Sequence, residues 1–161
     1  MMLNAFCPCG SLLLYADCCG VYHAGVAIPS TAGTLMRSRF SAFAVQNAAY
    51  VLQSWDETTR PAAFDLTDDP TIWQALEIVK TQKGAVNDTT GLVEFKAYYT
   101  LSGEAYVLHE RSRFIKRQER WFYVDGFIKA HALIAAKTMQ AKNAACACGS
   151  GKKFKRCCGM I

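Results

Sequence analysis

Eight cysteines stand in two tight groups near the two ends of the chain, and grouped thiolates are typical metal ligands. The first group is Cys7, Cys9, Cys18 and Cys19, and the second is Cys146, Cys148, Cys157 and Cys158. Both groups have the spacing C-x-C-x8-C-C, both continue with Gly-Ser after the second cysteine, and both close with a glycine. This spacing predicts two copies of one short unit.

Four thiolates can surround one Zn²⁺ as a tetrahedron with bonds of about 2.3 Å, which makes a closed structural site. The Cys-x-Cys pair directs two sulfurs to one point, and Gly10 and Gly149 follow where a residue without Cβ can take a positive φ. The eight-residue arm returns the chain with the second pair. Because so short a unit has no core of its own, we expect the ion to supply most of its folding free energy.

Two other chemistries use the same residues. Disulfides are the first, but the N-terminus has no basic n-region and only a short apolar run, so we expect a reducing, cytoplasmic location where disulfides are rare. Bridges within Cys18-Cys19 or Cys157-Cys158 would also close small, strained rings. Iron or an iron–sulfur centre is the second, since four soft thiolates accept it too, and the spacing does not exclude it.

The two arms differ in character. The C-terminal arm places four cations around one aromatic side chain, and its residues are Lys152, Lys153, Phe154, Lys155 and Arg156. The N-terminal arm carries Leu12, Leu13 and Leu14 instead, which would be a sticky surface if exposed. We therefore expect the N-terminal unit to pack on the main domain and the basic unit to project and bind a partner. Alternatively, the cations only keep a terminal module soluble.

Composition indicates one globular domain with small additions. The chain has 161 residues, of which 52% are hydrophobic and 19% charged, which excludes a mainly disordered protein. No run approaches the ~20 apolar residues of a membrane span. Six basic and no acidic residues lie between 137 and 161, so the net charge of +5 belongs to the C-terminal tail.

The middle of the chain predicts a helix followed by antiparallel strands. After a linker over 20–30, apolar residues recur at helical intervals to about Ser54, which predicts one long amphipathic helix. A loop over 56–70 follows. Residues 93–101 alternate between apolar and polar and predict a half-buried strand. The fold class expected is therefore α+β.

Two further strands are expected over 106–115 and 121–124, the last ended by Asp125-Gly126. Residues 72–82 fit a helix or a strand by their own pattern. From Lys129 to about Ala144 the chain is rich in alanine and predicts a helical linker to the C-terminal unit.

The segment CACGSGKKFKRCCG closely resembles the SEC-C motif, the small zinc-binding module at the C-terminus of the translocation ATPase SecA. Five ordered blocks are similar to the bacterial YchJ family of SEC-C proteins (UPF0225), and they are 7–11, 18–25, 35–43, 93–99 and 109–114. The resemblance implies an NTF2-like middle domain, in which a curved antiparallel sheet wraps a helix, and it favours a strand over 72–82. It also implies contacts with a protein or the ribosome, through the basic C-terminal copy.

The expected organisation has three parts. Residues 1–28 form an N-terminal SEC-C-like knuckle and linker, 29–130 the NTF2-like domain, and 131–161 a helical linker with the C-terminal zinc knuckle. An NTF2-like sheet often leaves a cavity, and Arg37, Arg39 and Glu110 are candidate polar groups in it. Alternatively, an Arg–Glu pair ties helix to sheet, because buried charges are usually paired.

We expect His109, Arg111 and Arg113 to lie on the opposite, solvated face of the strand that carries Glu110. No phosphate loop, nucleophile elbow or Ser-His-Asp arrangement is visible in the sequence, so an enzyme is not the favoured class.

The function expected is that of a zinc-binding accessory protein whose C-terminal knuckle binds a protein or ribosomal surface. The rival hypothesis is an enzyme or small-ligand binder that uses the NTF2-like cavity. Nucleic-acid binding through the tail is a third hypothesis and a weak one, because Phe154 alone is a thin platform for stacking.

Overall fold

The computed structural model describes residues 5–134. A single 3₁₀ turn, Tyr15–Asp17, leads into three α-helices and four β-strands. The helices are α1 Cys19–His23, α2 Ala32–Ala44 and α3 Ala48–Gln53. The strands are β1 Ile72–Lys83, β2 Thr90–Leu101, β3 Glu104–Arg117 and β4 Arg120–Leu133. The fold is α+β, as the sequence predicts.

The strands form one antiparallel sheet in the order β1-β2-β3-β4, so each strand pairs with its neighbour along the chain. The hairpin between β2 and β3 turns at Ser102 and Gly103, which both have a positive φ, as a tight turn between right-twisted strands requires. Residues 72–83 are a strand, which confirms the assignment that the family resemblance favours.

Helix α2 lies on one face of the sheet and makes the main core with it. Burial alternates along β2, where Val93, Phe95, Ala97 and Tyr99 face inward, as the period of two predicts. Phe114 of β3 is 1% exposed and belongs to the same cluster as Leu35 of α2. These contacts fix the position of α2 relative to the sheet.

The expected long helix is wrong in one respect, because the chain breaks between α2 and α3. Gln46 has a φ of +57°, which ends a right-handed helix. The Asn47 side chain then accepts a hydrogen bond from the backbone N–H of Tyr50 at 3.0 Å and starts α3 as an N-cap. The break turns residues 54–56 toward the sheet, where the Asp56 N–H donates to the Tyr123 carbonyl at 2.7 Å.

The last strand is longer than the sequence predicts. Asp125 and Gly126 do not end it, since they pair with Arg113 and Ser112 across the β3–β4 ladder. The helix expected from Lys129 is also wrong at its start, because residues 129–133 belong to β4. The remainder of that linker lies outside the described residues, and the division of the chain at residues 28 and 130 stays a prediction.

Among residues 5–134, no helix has the length and apolar character needed to cross a membrane.

Candidate metal centre

The first cysteine pair lies on a tight turn close to the chain's start. The Gly10 N–H donates to the Cys7 carbonyl at 3.2 Å, which closes a four-residue turn through Pro8 and Cys9. Gly10 has a φ of +80°, which confirms the positive φ expected for the glycine at this position. The turn places Cys7 and Cys9 on the same side of the chain.

The second pair returns through a small hairpin. Phe6 forms an antiparallel bridge with Leu14, and the Cys7 N–H donates to the Leu13 carbonyl at 2.8 Å. The 3₁₀ turn then delivers Cys18, and Cys19 opens α1. At Gly20 an added Cβ would lie 2.6 Å from the Tyr15 carbonyl oxygen, so only glycine permits this close approach.

The four sulfurs converge on one point. The Sγ atoms of Cys7, Cys9, Cys18 and Cys19 all lie within 4.8 Å of one another. A tetrahedral zinc site with bonds of about 2.3 Å has sulfurs about 3.8 Å apart, so the donor set fits after a small contraction. Cys9 and Cys18 have sulfurs 3.6 Å apart. That separation far exceeds a disulfide bond of about 2.05 Å, and all four cysteines are free thiols.

The thiols of this cluster shift one another's pKa values. A hydrogen bond from the Cys19 thiol is the main cause that lowers the pKa of Cys9 to about 4. The same bond, together with burial, raises the pKa of Cys19. Because Cys7, Cys9 and Cys19 are buried, the charge of four thiolates would need compensation, which a divalent cation at their centre would supply.

The cluster packs on the main domain, as the sequence predicts, but the leucines of its arm are not the contact. Cys7 Sγ lies 3.5 Å from the Ser41 hydroxyl of α2, and Arg37 Nη1 donates to the Cys9 carbonyl at 2.9 Å. The leucines remain exposed, with Leu12 at 81%, Leu13 at 53% and Leu14 at 40%. Residues other than these leucines therefore dock the N-terminal knuckle, and two of the contacts are polar.

His23 adds a third connection, which the sequence does not predict. Its Nε2 lies 2.8 Å from the Ser38 carbonyl, and its Nδ1 lies 2.6 Å from the Tyr15 hydroxyl. Because a carbonyl only accepts, Nε2 carries the proton and neutral Nδ1 accepts from Tyr15. Burial lowers the pKa of His23, which agrees with this neutral form. The imidazole thus links the knuckle to α2.

Residues 5–134 contain only the N-terminal copy. The second group of cysteines, Cys146, Cys148, Cys157 and Cys158, lies outside the described residues. So do the predicted partner-binding residues, Lys152, Lys153, Phe154, Lys155 and Arg156.

A cavity of about 160 Å³ lies between α2, the loop after α3 and the inner face of the sheet. Arg39 and Glu110 both line it, as the sequence predicts, whereas Arg37 reaches the knuckle instead. Arg39 is 3% exposed, and its Nη1 donates to the Val51 carbonyl and the Ser54 hydroxyl at 2.7 Å each. Its guanidinium carbon also lies 4.4 Å from the ring centroid of Tyr123.

The Arg–Glu pair that the sequence offers as an alternative does not form directly. Within residues 5–134, no hydrogen bond or ion pair joins Arg39 to Glu110. Glu110 Oε1 accepts from the Ser112 hydroxyl at 2.7 Å instead. A Cβ at residue 126 would collide with the Glu110 carboxylate, so Gly126 makes the room for this side chain.

On the face of β3 opposite Glu110, the side chain of His109 is less exposed to solvent than the sequence predicts. His109 Nε2 lies 2.8 Å from Glu94 Oε1, and both side chains are half-buried. Lys129 shares the same carboxylate oxygen at 2.7 Å. Arg111 is exposed, and Arg113 is exposed and paired with Asp125.

Two family models match the chain. The model described as the YchJ middle NTF2-like domain matches residues 31–126. The SEC-C motif model matches twice, at residues 4–20 and 143–159, which covers both cysteine groups.

Relatives and solved structures agree with these models. A UPF0225 protein of Photorhabdus laumondii is 37% identical over 98% of this chain and its own full length. Another, from Serratia proteamaculans, is 41% identical over 95% of this chain and 97% of its own.

The crystal structure of a SEC-C motif containing protein from Psychrobacter arcticus has a TM-score of 0.66 and 30% identity, over 100% of this chain and 99% of that one. The solution structure of one from Rhodopseudomonas palustris has a TM-score of 0.67 and 30% identity, over 75% of this chain and 96% of that one. Full-length similarity, the NTF2-like middle and both SEC-C matches place the chain in the YchJ family of SEC-C motif proteins, UPF0225.

Proposed function

We propose that this protein is a cytoplasmic zinc-binding accessory protein whose basic C-terminal SEC-C knuckle binds a protein or ribosomal surface. The observation that carries the proposal is the convergence of four cysteine sulfurs within 4.8 Å in the N-terminal copy. The C-terminal copy repeats the same cysteine spacing, so the same donor set is available there. Four sulfurs around one ion leave no open position for a substrate, which makes the role of the metal structural.

The N-terminal knuckle serves as a fixed part of the NTF2-like domain. Its cysteines contact α2 through Ser41 and Arg37, and the Arg37 guanidinium brings a positive charge to the cluster. Zn²⁺ with four thiolates carries a local charge of −2, which this cation partly offsets. The N-terminal copy is thus suited to stabilising the fold rather than to binding a mobile partner.

The C-terminal knuckle differs in the four cations of its arm. A zinc ion bound by four thiolates has a net charge of −2. The six basic residues of the tail therefore leave it with a net side-chain charge of +4. A compact cationic module is complementary to an acidic protein patch or to the ribosomal surface, and the attraction depends on ionic strength.

Elemental analysis of the purified protein tests the metal. We expect two zinc atoms per chain, and one after the double substitution C146S/C148S. A stoichiometric iron content or metal-free protein would contradict the zinc assignment.

A charge-reversal variant tests the partner. We expect Lys152, Lys153, Lys155 and Arg156, all changed to Glu, to abolish capture of ribosomes or of acidic proteins at low salt. The matched control reverses four exposed cations of the described domain, which are Arg60, Lys80, Lys83 and Arg111. Equal capture by the wild type and the tail variant would remove the proposed role of the basic knuckle.

A further inference from the structure

The cavity beneath α2 has the size of one aromatic ring. Its volume is about 160 Å³, close to the roughly 150 Å³ of an engineered protein cavity that binds benzene. Aromatic side chains from the helix, the loop and the strands make most of its wall, including Phe40, Phe64 and Trp73. An aromatic, apolar wall of this kind favours a small aromatic ligand.

Polar groups of the wall have unused hydrogen-bonding capacity. The indole N–H groups of Trp55 and Trp73 are buried and have no partner among residues 5–134. An unpaired buried donor costs about 1–3 kcal/mol, and most buried polar groups in folded proteins are paired. Both indoles line the cavity, but their N–H groups are enclosed by the wall, so the polar groups that a ligand can reach are those of Arg39 and Glu110.

Arg39 and Glu110 set the charge of the site. Within the described residues, Arg39 donates hydrogen bonds through Nη1 alone, although the side chain is only 3% exposed. Its buried charge has no ion-pair partner there, and such a charge is costly. Glu110 uses one carboxylate oxygen for the Ser112 hydroxyl. The cavity thus offers donors from the guanidinium and an acceptor from the carboxylate.

The guanidinium of Arg39 and the carboxylate of Glu110 together disfavour charged ligands. A carboxylate ligand would meet Glu110 and an amine would meet Arg39, so either gains one contact and suffers one repulsion. A neutral ring that carries both a carbonyl oxygen and an N–H satisfies both side chains.

We propose that the cavity binds a small, neutral heteroaromatic lactam, with the ring carbonyl accepting from Arg39 and the ring N–H donating to Glu110. The ring itself lies against the aromatic wall. This site is separate from the metal centre, because its lining residues include no cysteine.

The test uses the full-length, metal-loaded protein and ligand-observed ¹⁹F NMR with 5-fluoro-2-pyridone as the probe. We expect saturable binding at least about tenfold tighter than that of fluorobenzene, 4-fluorobenzoate or 4-fluorobenzylamine. Equal affinities for all four probes, or no binding of the pyridone, would overturn the proposal.

A cavity-filling variant locates the site. Leu108 lines the cavity, so L108F should abolish pyridone binding, whereas L133F at an exposed position of β4 should leave it unchanged. Ala97 also lines the cavity, and A97V adds less volume there than L108F does. If L108F does not fold, A97V is used in its place. Pyridone binding that survives in the folded cavity variant would refute this location.

Discussion

His23 Nε2 donates a hydrogen bond to the Ser38 carbonyl of α2 across 2.8 Å, while its Nδ1 accepts from Tyr15 of the knuckle. One imidazole therefore joins the cysteine knuckle to the helix that lies on the sheet. His23 also packs against Tyr50 with ring centroids 4.4 Å apart, so the connection is partly buried. The two units are held together by a titratable group that burial keeps in its neutral form.

The first prediction concerns pH. Because burial lowers the pKa of His23 in the folded state, the neutral ring contributes stability that is complete above its unfolded pKa of about 6.5. This contribution is lost as the pH falls through the lower folded value. Urea unfolding should show a smaller loss of stability between about pH 7.5 and 5.5 in H23Q than in the wild type, since glutamine does not titrate. Parallel pH profiles of the two proteins would contradict this role.

Arg37 should strengthen metal binding. Its guanidinium donates to the Cys9 carbonyl at 2.9 Å and fixes one ligand residue to α2. A charged hydrogen bond contributes about 1.5–3 kcal/mol, so R37A should weaken zinc binding by about tenfold to a hundredfold. Competition with a chromophoric chelator measures this change. R113A, which removes an exposed ion pair, should leave zinc affinity at the wild-type value.

Gly20 should tolerate no side chain. An alanine Cβ there would lie 2.6 Å from the Tyr15 carbonyl oxygen and 3.2 Å from its carbonyl carbon, and these backbone atoms have little freedom to relax. G20A should therefore separate the two cysteine pairs and lower the zinc content of the purified protein. G33A is the matched control, because its Cβ would have ordinary contacts at 3.9 Å and it lies in α2, where alanine is the better helix former. A full zinc complement in G20A would show that the knuckle can relax around a methyl group.

Asp56 should be needed for the loop that closes one side of the cavity. Burial alone would raise the pKa of Asp56, but hydrogen bonds from Thr58 and the Arg117 guanidinium outweigh it and lower that pKa. The stability from this carboxylate is therefore present above its unfolded pKa of about 3.9 and is lost as the pH falls through the folded value.

At neutral pH, D56N should cost about 1–3 kcal/mol of unfolding free energy, because Asp56 is 1% exposed. D65N is the control, since Asp65 makes the same pair of contacts to Thr67 on an exposed loop and its substitution should cost clearly less. Thermal or urea unfolding compares the two, and equal losses would rule out a special role for Asp56.

The sequence predicts the cysteine cluster and strands β2 and β3 well because both rest on short, regular spacings, whereas the pattern of residues 72–82 fits a helix as well as a strand. The break at Gln46 escapes this reasoning, since nothing local marks a glutamine for a φ of +57°. At Asp125-Gly126, by contrast, a strong local signal predicts the wrong structure. The pair is typical of a turn, yet cross-strand contact with Arg113 holds Asp125 in the ladder, and Gly126 is needed for the side chain of Glu110.

The docking of the knuckle escapes prediction as well. Three leucines in its arm favour an apolar contact, but the observed contact uses Arg37, Ser41 and His23. The indole groups of Trp55 and Trp73 are predictable as core residues, but their missing partners depend on three-dimensional packing alone.

Removal of the metal should open the knuckle and leave the main domain folded. The knuckle's buried cluster consists of Cys7, Cys9 and Cys19, whereas α2 and the sheet share a larger apolar core that includes no cysteine. After treatment with a chelator, the near-ultraviolet circular dichroism of the aromatic core should persist, while the cysteines become reactive toward a thiol reagent and the chain becomes sensitive to protease at Leu12–Leu14. If the aromatic signal and the knuckle are lost together, the metal is part of one cooperative fold and the two units do not unfold separately.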